Sequence, residues 1–590
     1  MTPPILSHHA PGDYQLIMND NYSFSGWFAL RRTLPPFCFN EGADELLQYV
    51  VANEINEVIV KVDTEDFSHG HLSLEWLQAY QPALLRLRDE LAQRGVAYSV
   101  NPWITFGHCD RGRDDLAHMI GLQTVVGHDG TVCRHCACPL SEVWREHIRK
   151  LWSIYAETHP RVLWVEDDIR TWNHEPVEYG CFCPKHLERF SALAGCRVER
   201  EELVAALLQP GKPHPWRRLY LQMQQEIMVD TAAFLAQVVH QISPETYLGL
   251  MSSGPRNHCL EGRDWQRFAA ALGNGKPLYS RPTLGCYFEY TLRDLFFAAD
   301  SIKLTRHVMP SDTIELTEVE CAPYFSYANS ARFNLLKVAV SLVFGAHGVT
   351  MNLFDHLGSP LATEVGNGGF PFAELPFLRE VASLSGRFRG VQLLHCENSA
   401  EYQELKVGQG YQGLIGDGLE MMYALEHMGI PTCYEPESVV AASGQHLRAL
   451  RDEDILKLLR AGLLLDAVAA RVLCKRGFAK YLGLESCSET RHRREFPFVI
   501  AAEAYNNPEF GGSENCFMTA SLPFLQATGH FAMLRLQSEC RVISWFVDAD
   551  RRPVMPAMTA YTNEFGGRVV VHALDYAGCV GVAYYNPFRR

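Results

Sequence analysis

Short apolar runs rich in Val, Ile, Leu and Tyr recur along the first two-thirds of the chain, separated by longer stretches whose apolar residues fall at helical spacing. The runs are YQLIMND near 14, EVIVKVD at 57–63, VAYSVNPW at 96–103, RVLWVEDD at 161–168, TYLGLMSSG at 246–254, PLYSRP at 277–282, DTIELTEVE at 312–320 and GVTMNLFDH at 348–356. Between them lie segments such as EWLQAYQPALLRLRDELAQRG and YLQMQQEIMVDTAAFLAQVVHQI, which end near Gly or Pro. Eight strand-helix units predict an α/β protein with a (β/α)8 TIM barrel over residues 1–388. A doubly wound open sheet is the rival. Polar residues at the carboxyl end of nearly every run favour the barrel, because a barrel assembles its site there.

Beyond residue 388 the texture changes. GVQLLHCENSAEY, YQGLIGDGLEMMYALEHMGIPTCYEPESVV and ILKLLRAGLLLDAVAARVLCKRG alternate strands and helices, as in a small three-layer α/β, amidotransferase-like domain at 389–487. The Gly-x-Cys-x-Gly nucleophile turn of an amidotransferase is missing, so this domain reads as structural. From 488 to 590, EFPFVIAAEAY, FAMLRLQSECRVISWFVDAD, PVMPAMTAYTNEFGGRVVVHAL and CVGVAYYNPF alternate strands with Gly, Asn and Asp turns, which predicts a C-terminal β-sandwich.

Composition narrows the function. The 590 residues are 47% hydrophobic and 21% charged, the balance of ordinary globular domains. A formal net charge of -15 without a basic stripe argues against nucleic acid and anionic membrane as partners, and for a neutral or cationic substrate. No signal peptide and no membrane span is legible, so the expected location is cytoplasmic, and the 18 cysteines read mostly as reduced thiols.

The strand ends carry the candidate chemistry. They are Asp63 and Glu65, Asn101 and Trp103, Glu166 to Asp168, Ser252 and Ser253, Arg281, Glu318 and Glu320, and Asn352 with Asp355 and His356. Each alone is an ordinary capping or loop residue; around one cavity they make a polar, aromatic-flanked pocket. Two carboxylate clusters on separate strand ends suit acid/base work on a neutral, polar substrate. Alternation along a strand puts Glu166 and Asp168 on one face with Asp167 on the other, and Glu318 and Glu320 on one face with Glu315 on the other. Asp167 or Asp168 with Arg170 suits the holding of hydroxyls. Trp103, Trp172, Tyr324 and Phe354 are candidates for apolar contact with such a substrate.

Glu320-Cys-Ala-Pro323 is similar to the Glu-x-x-Pro that carries the nucleophile of glycoside hydrolase family 42 (clan A) β-galactosidases and related β-mannosidase-type enzymes. YGCFCPKHLERF, Tyr179 to Phe190, resembles that family's cysteine-rich turn and helix, and SVNPWITFGH and CPLSEVWREHI resemble its substrate-side segments. The order barrel, amidotransferase-like domain, β domain is also the family's. The resemblance implies a retaining, exo-acting β-glycosidase with Glu320 as nucleophile (alternate Glu318) and Glu166 as acid/base (alternate Asp168), needing no cofactor. It implies Asp63, Asn101, Trp103, Asp167, Asp168, Arg170, Arg281, Glu318, Tyr324 and Asn352 as substrate contacts. It also implies a homo-oligomer, a trimer packed through the middle domain. The chain departs from the family where an Asn-Glu pair is expected, since Glu166, Asp167 and Asp168 stand there without Asn.

Two cysteine clusters, CRHCAC and CFCPKH, add a metal possibility. Cys138, Cys181, Cys183 and His186 are candidate ligands of a structural zinc. Two other readings stay open: a metal-dependent barrel hydrolase or lyase using the Glu166–Asp168 trio on a hard cation, and a barrel that binds carbohydrate without cleaving it.

Overall fold

The computed structural model describes residues 26–64, 66, 70–110, 119, 121–291, 294–325, 328–364, 374–384, 388–416, 418–489, 499–512, 516–518 and 530–578. Eight parallel strands close a barrel: β1 (Trp27–Thr33), β2 (Glu57–Lys61), β3 (Ala97–Asn101), β4 (Val162–Val165), β5 (Tyr247–Ser252), β6 (Tyr279–Pro282), β7 (Ile314–Glu320) and β8 (Gly348–Asn352). β1 closes the ring by pairing with both β2 and β8. Seven of the eight coincide with the apolar runs. The exception is the first, because the run near 14 lies outside the described residues and β1 is WFALRRT, whose two arginines interrupt an otherwise apolar strand.

Helices pack around the ring by the periodicity that marked them. In Leu74–Gln93, Leu77, Tyr80, Leu84, Leu87 and Leu91 are the buried residues, one stripe at helical spacing, and the Ser73 hydroxyl caps the start by accepting from the Trp76 N–H. Removing Leu84 to Ala would cost about 2 to 5 kcal/mol by leaving a cavity in that stripe. Ser141 and His214 cap the helices Glu142–Glu157 and Pro215–His240 in the same way.

The second sheet has nine strands, in the order Thr432–Cys433, Val391–Leu393, Val439–Ala442, Gly462–Leu465, Arg568–His572, Pro553–Thr562, Arg541–Val547, Ala502–Ala504 and Phe517–Met518. The first five run parallel and the rest antiparallel. A ribbon of Leu484–Glu489 with Ala532–Leu536 packs on the antiparallel half through the Phe531 and Phe546 rings, 5 Å-class neighbours at 4.9 Å, which gives the C-terminal region its two β layers. The expected boundary at 487/488 is therefore crossed by a sheet: Val569–Val571 pairs with Leu463–Leu465. Two buried apolar strands about a hundred positions apart pair through the backbone, a relation that composition along the chain does not carry. The run at 579–588 lies outside the described residues.

Among the described residues no helix is long and apolar enough to cross a membrane.

Candidate active site

Strand alternation builds the site. On β1, on β4 with the residue that follows it, and on β7, the residues facing the barrel axis are Trp27, Ala29 and Arg31, then Val162, Trp164 and Glu166, then Ile314, Leu316, Glu318 and Glu320. The amino-terminal layers are apolar: Trp27, Ile59, Trp164, Met251, Tyr279 and Leu316 form one buried cluster. Gly249 is required there, since a Cβ would lie 2.4 Å from the Trp164 ring. The carboxyl-terminal layer is ionic. Arg31, Lys61, Asn101, Glu166, Arg281, Glu318, Glu320 and Asn352 meet there, each from a strand end or its next residue, and all are buried.

Arg31 ties the two expected catalytic carboxyl groups together. Its Nη1 donates to Glu320 Oε1 at 2.6 Å, and its Nη2 reaches Glu166 Oε2 at 3.5 Å and Asn101 Oδ1 at 2.8 Å. One guanidinium touching both confines them to a short separation, the situation in which a nucleophile and an acid act on one bond; retaining pairs need about 5 to 5.5 Å. Glu166 also accepts from Asn101 Nδ2 at 2.7 Å and Arg281 Nη2 at 3.4 Å. Thus an asparagine does stand on this carboxylate, supplied by β3 instead of the preceding residue.

Glu320 accepts on Oε2 from the Tyr324 hydroxyl at 2.8 Å and on Oε1 from Asn352 Nδ2 at 3.3 Å. Burial opposes its ionisation, but Arg31, Arg281, Lys61 and the Tyr324 hydroxyl outweigh it and bring its pKa down to about 2. Glu318, on the same face as expected, is spoken for: Arg281 pairs with Oε1, while Thr283 Oγ1, the Leu284 N–H and the Tyr287 hydroxyl donate to Oε2 at 2.9, 3.1 and 3.3 Å. Glu315 points outward to Arg306.

The trio after β4 divides, but not by strand parity, because β4 ends at Val165 and a turn follows. Asp168 turns away from Glu166 and accepts the Thr105 and Gly107 N–H groups at 2.7 and 2.6 Å, so it braces the loop after β3. Burial pushes its carboxyl up. Asp167 pairs with Arg170 at 3.2 Å and faces His108 at 3.6 Å. Burial opposes its charge too, yet Arg170 and His108 hold it below the usual carboxylate range. The Arg170 guanidinium also donates to the Asp167 and Trp172 carbonyls, so it ties the turn to itself.

Asp63 is a brace as well, accepting the Trp103 N–H at 2.5 Å; burial lifts its pKa to about 7. Trp103 and Tyr324 do flank the site, their rings 5.0 and 5.4 Å from Lys61 Nζ. Trp172 and Phe354 do not: Trp172 packs on His258 and Phe354 on Tyr49, both buried. Ser252 and Ser253 bond the Arg281 carbonyl and His258, Asp355 takes the Leu357 and Ser359 N–H groups, and Glu65 lies outside the described residues.

Four participants escaped the sequence reading. Arg31 was hidden with its strand. Lys61, in the middle of EVIVKVD, donates to Asn352 Oδ1 at 2.8 Å and to His356 Nε2 at 2.5 Å, and the other imidazole nitrogen meets Asp66 at 2.6 Å. Burial and Arg31 lower the lysine's pKa well below its ordinary value, and burial and Lys61 bring His356 to about 4. Glu261 accepts from Arg263 and from the Thr171 N–H at 3.0 Å, and Arg263 holds the Ile169 carbonyl at 2.6 Å, which fixes the turn carrying the trio. A charged residue inside an otherwise apolar run was the available signal for Arg31 and Lys61.

The expected metal ligands converge. Ligand atoms of Cys138, Cys181, Cys183 and His186 all lie within 4.8 Å of one another and are buried. Cys138 Sγ is 3.5 Å from Cys183 Sγ and 3.5 Å from His186 Nδ1, and Cys183 Sγ is 3.3 Å from His186 Nδ1. A tetrahedral zinc with bonds of about 2.3 Å to sulfur separates its sulfurs by about 3.8 Å, so the residues fit the ion. Cys133 and Cys136 are outside this set. A second group, His108, Glu166 and Asp167, also brings ligand atoms within 4.8 Å of one another.

No family model and no curated protein matches the sequence. Solved structures do. The β-galactosidase from Rahnella sp. R3 aligns over 95% of this chain and 88% of its own at 14% identity, TM-score 0.58. The β-galactosidase from Bacillus circulans sp. alkalophilus aligns over 94% and 88% at 12% identity, TM-score 0.56. The family 42 β-galactosidase Gan42B from G. stearothermophilus aligns over 93% and 86% at 13% identity, TM-score 0.56. Identity this low speaks to architecture alone, and it does so over nearly the whole length: the chain has the fold of the glycoside hydrolase family 42 β-galactosidases.

Proposed function

We propose that the protein is a retaining, exo-acting β-glycosidase that removes a terminal sugar, of galactose or mannose type, by double displacement. The observation that carries this is the Arg31 bridge between Glu166 and Glu320, together with a Glu320 carboxylate held ionised by Arg31, Arg281 and Lys61. Glu320 attacks the anomeric carbon while Glu166 gives its proton to the glycosidic oxygen, so that the C–O bond breaks and the alcohol leaves. Glu166, now ionised, takes a proton from water, the hydroxide attacks the anomeric carbon, and Glu320 departs with configuration retained. Asn101, Asn352, Arg281 and Trp103 line the same layer as substrate contacts.

A panel of chromogenic aryl β-glycosides tests the reading. Turnover of at least one is expected, with Glu320→Ala abolishing it and azide or formate restoring part of it. Rescue at Glu318→Ala and none at Glu320→Ala would move the nucleophile; no turnover of any glycoside by the wild type, with sugar still bound, would leave a carbohydrate-binding barrel. A second reading, a hard-cation enzyme, is favoured by the convergence of His108, Glu166 and Asp167; loss of turnover in EDTA, restored by a divalent ion, would select it.

Cys138, Cys181, Cys183 and His186 are proposed to hold a structural zinc. The assembly is proposed to be a homotrimer, and light scattering returning 66.6 kDa at micromolar concentration would contradict it. The many buried cysteines suit a reducing, cytoplasmic setting.

A further inference from the structure

Three aromatic rings stand exposed at the rim of the barrel: Phe288 at 39%, Tyr290 at 81% and Phe325 at 48%. Large rings this open are uncommon on a protein surface, and two of them stand together. Phe288 and Tyr290 stack, with centroids 5.3 Å apart and planes 23° from parallel. Two of the rings, Phe288 and Phe325, each follow a residue bound to a carboxylate of the site. Tyr287, just before Phe288, donates to Glu318, and Tyr324, just before Phe325, donates to Glu320.

The two loops are also joined to each other. Asn329 Nδ2 donates to the Tyr287 carbonyl at 2.8 Å and its Oδ1 accepts the Glu289 N–H at 3.2 Å, while the Glu289 carboxylate accepts the Ser330 N–H at 2.9 Å and hydroxyl at 3.0 Å. Rings on a braced double loop are held ready and lose little freedom on binding.

We propose that Phe288 and Tyr290, with Phe325 on the loop joined to theirs, form a shelf for the leaving group, stacking a pyranose ring of the alcohol that departs; this rests on the glycosidase reading above. The argument is one of depth. Glu166 and Glu320 are 2% and 6% exposed, so the bond that breaks lies at the floor of the mouth and the terminal sugar fills that floor. Whatever is attached to it must extend outward past the rim. The hydrogen-rich face of a pyranose matches the electron-rich face of an aromatic ring, and two stacked rings offer such a face where the outgoing unit passes.

The test compares a β-linked disaccharide with the methyl β-glycoside of the same terminal sugar, in wild type and in Tyr290→Ala and Phe288→Ala. The ratio of kcat/KM for disaccharide over methyl glycoside should fall about five- to tenfold in each variant, mainly through KM. A ratio within about twofold of wild type would overturn the shelf. Light scattering on Tyr290→Ala should return the wild-type mass; dissociation to a smaller species would make the rings a subunit contact instead. If the wild type turns over no glycoside, the glycosidase reading fails separately. Calorimetry with the disaccharides then decides the shelf: weaker binding to Tyr290→Ala supports it, and equal binding, or none to either protein, overturns it.

Discussion

Arg31 is the residue on which the most depends. It is buried, it bridges the two carboxyl groups, and it is first among the cations that offset burial at Glu320. Arg31→Met should lower kcat/KM by about 10² to 10³, the loss typical of a preorganised donor. It should also move the acidic limb of the pH profile upward, because removing a cation raises the pKa of the neighbouring carboxyl from about 2 toward its ordinary value. An unmoved limb would mean that Glu320 is not the group titrating there. Glu166 and Asp168 separate by a different experiment. Glu166→Gln should harm glycosides with poor leaving groups far more than activated aryl glycosides, since only the former need the proton. Asp168→Asn should show no such dependence and should instead cost about 1 to 3 kcal/mol of stability, because Asp168 accepts two backbone N–H groups in a buried turn. The reverse pattern would make the acid an aspartate. Most of these site residues were legible as polar strand ends; what could not be read was which carboxylate faces in, because β4 stops one residue before the trio and parity stops with it.

At the scale of elements, the cysteine clip joins pieces that the barrel itself does not hold together. Cys138 follows the strand Val132–Ala137, Cys181 and Cys183 follow Val177–Tyr179, and His186 lies in the first turn of the helix Pro184–Ala194. Zinc analysis of purified protein should find about one ion per chain, and Cys183→Ala should lose it. The variant should then melt at lower temperature while its kcat at low temperature stays near wild type, since the partners that hold Glu166 and Glu320 are Arg31, Asn101, Arg281, Tyr324 and Asn352, not the four cluster residues. Metal-free wild type with an unchanged melting temperature would contradict the assignment. Spacing alone showed the four residue types; only the fold brought two segments more than forty positions apart into one tetrahedron-sized space.

For the whole molecule, the nine-stranded sheet makes the chain beyond residue 390 one unit in its hydrogen bonding. Arg568–His572 fills the edge beside Gly462–Leu465, and Leu463 and Val571 are both buried. A chain ending at 487 would leave that edge unpaired and apolar, the condition that drives strands to pair between molecules. It should aggregate, or melt without cooperativity. A monodisperse product with a sharp transition would show that the 389–487 segment stands alone. The unit is also tied to the barrel: Lys303 reaches Glu426, and Arg256 reaches both Asp300 and Tyr434. Truncation should therefore disturb the barrel's helices as well as the sheet.

Local pattern along the chain determined seven of the eight barrel strands and their order, the helices between them, and the polar ends where chemistry gathers, because strand and helix periods are set by backbone geometry within a few residues. It determined Glu320 and the four cysteine and histidine ligands as candidates for the same reason: each sits in a short motif. Tertiary structure alone decided that Arg31, Lys61 and Arg281 neutralise the mouth, that Glu318 and Asp168 serve as braces, and that the last parallel strand of the second sheet comes from residues 568–572. Those outcomes depend on contacts between segments tens to hundreds of residues apart. Such contacts are chosen by closure of the barrel and by the need to pair buried charge and backbone, constraints that no window of sequence contains.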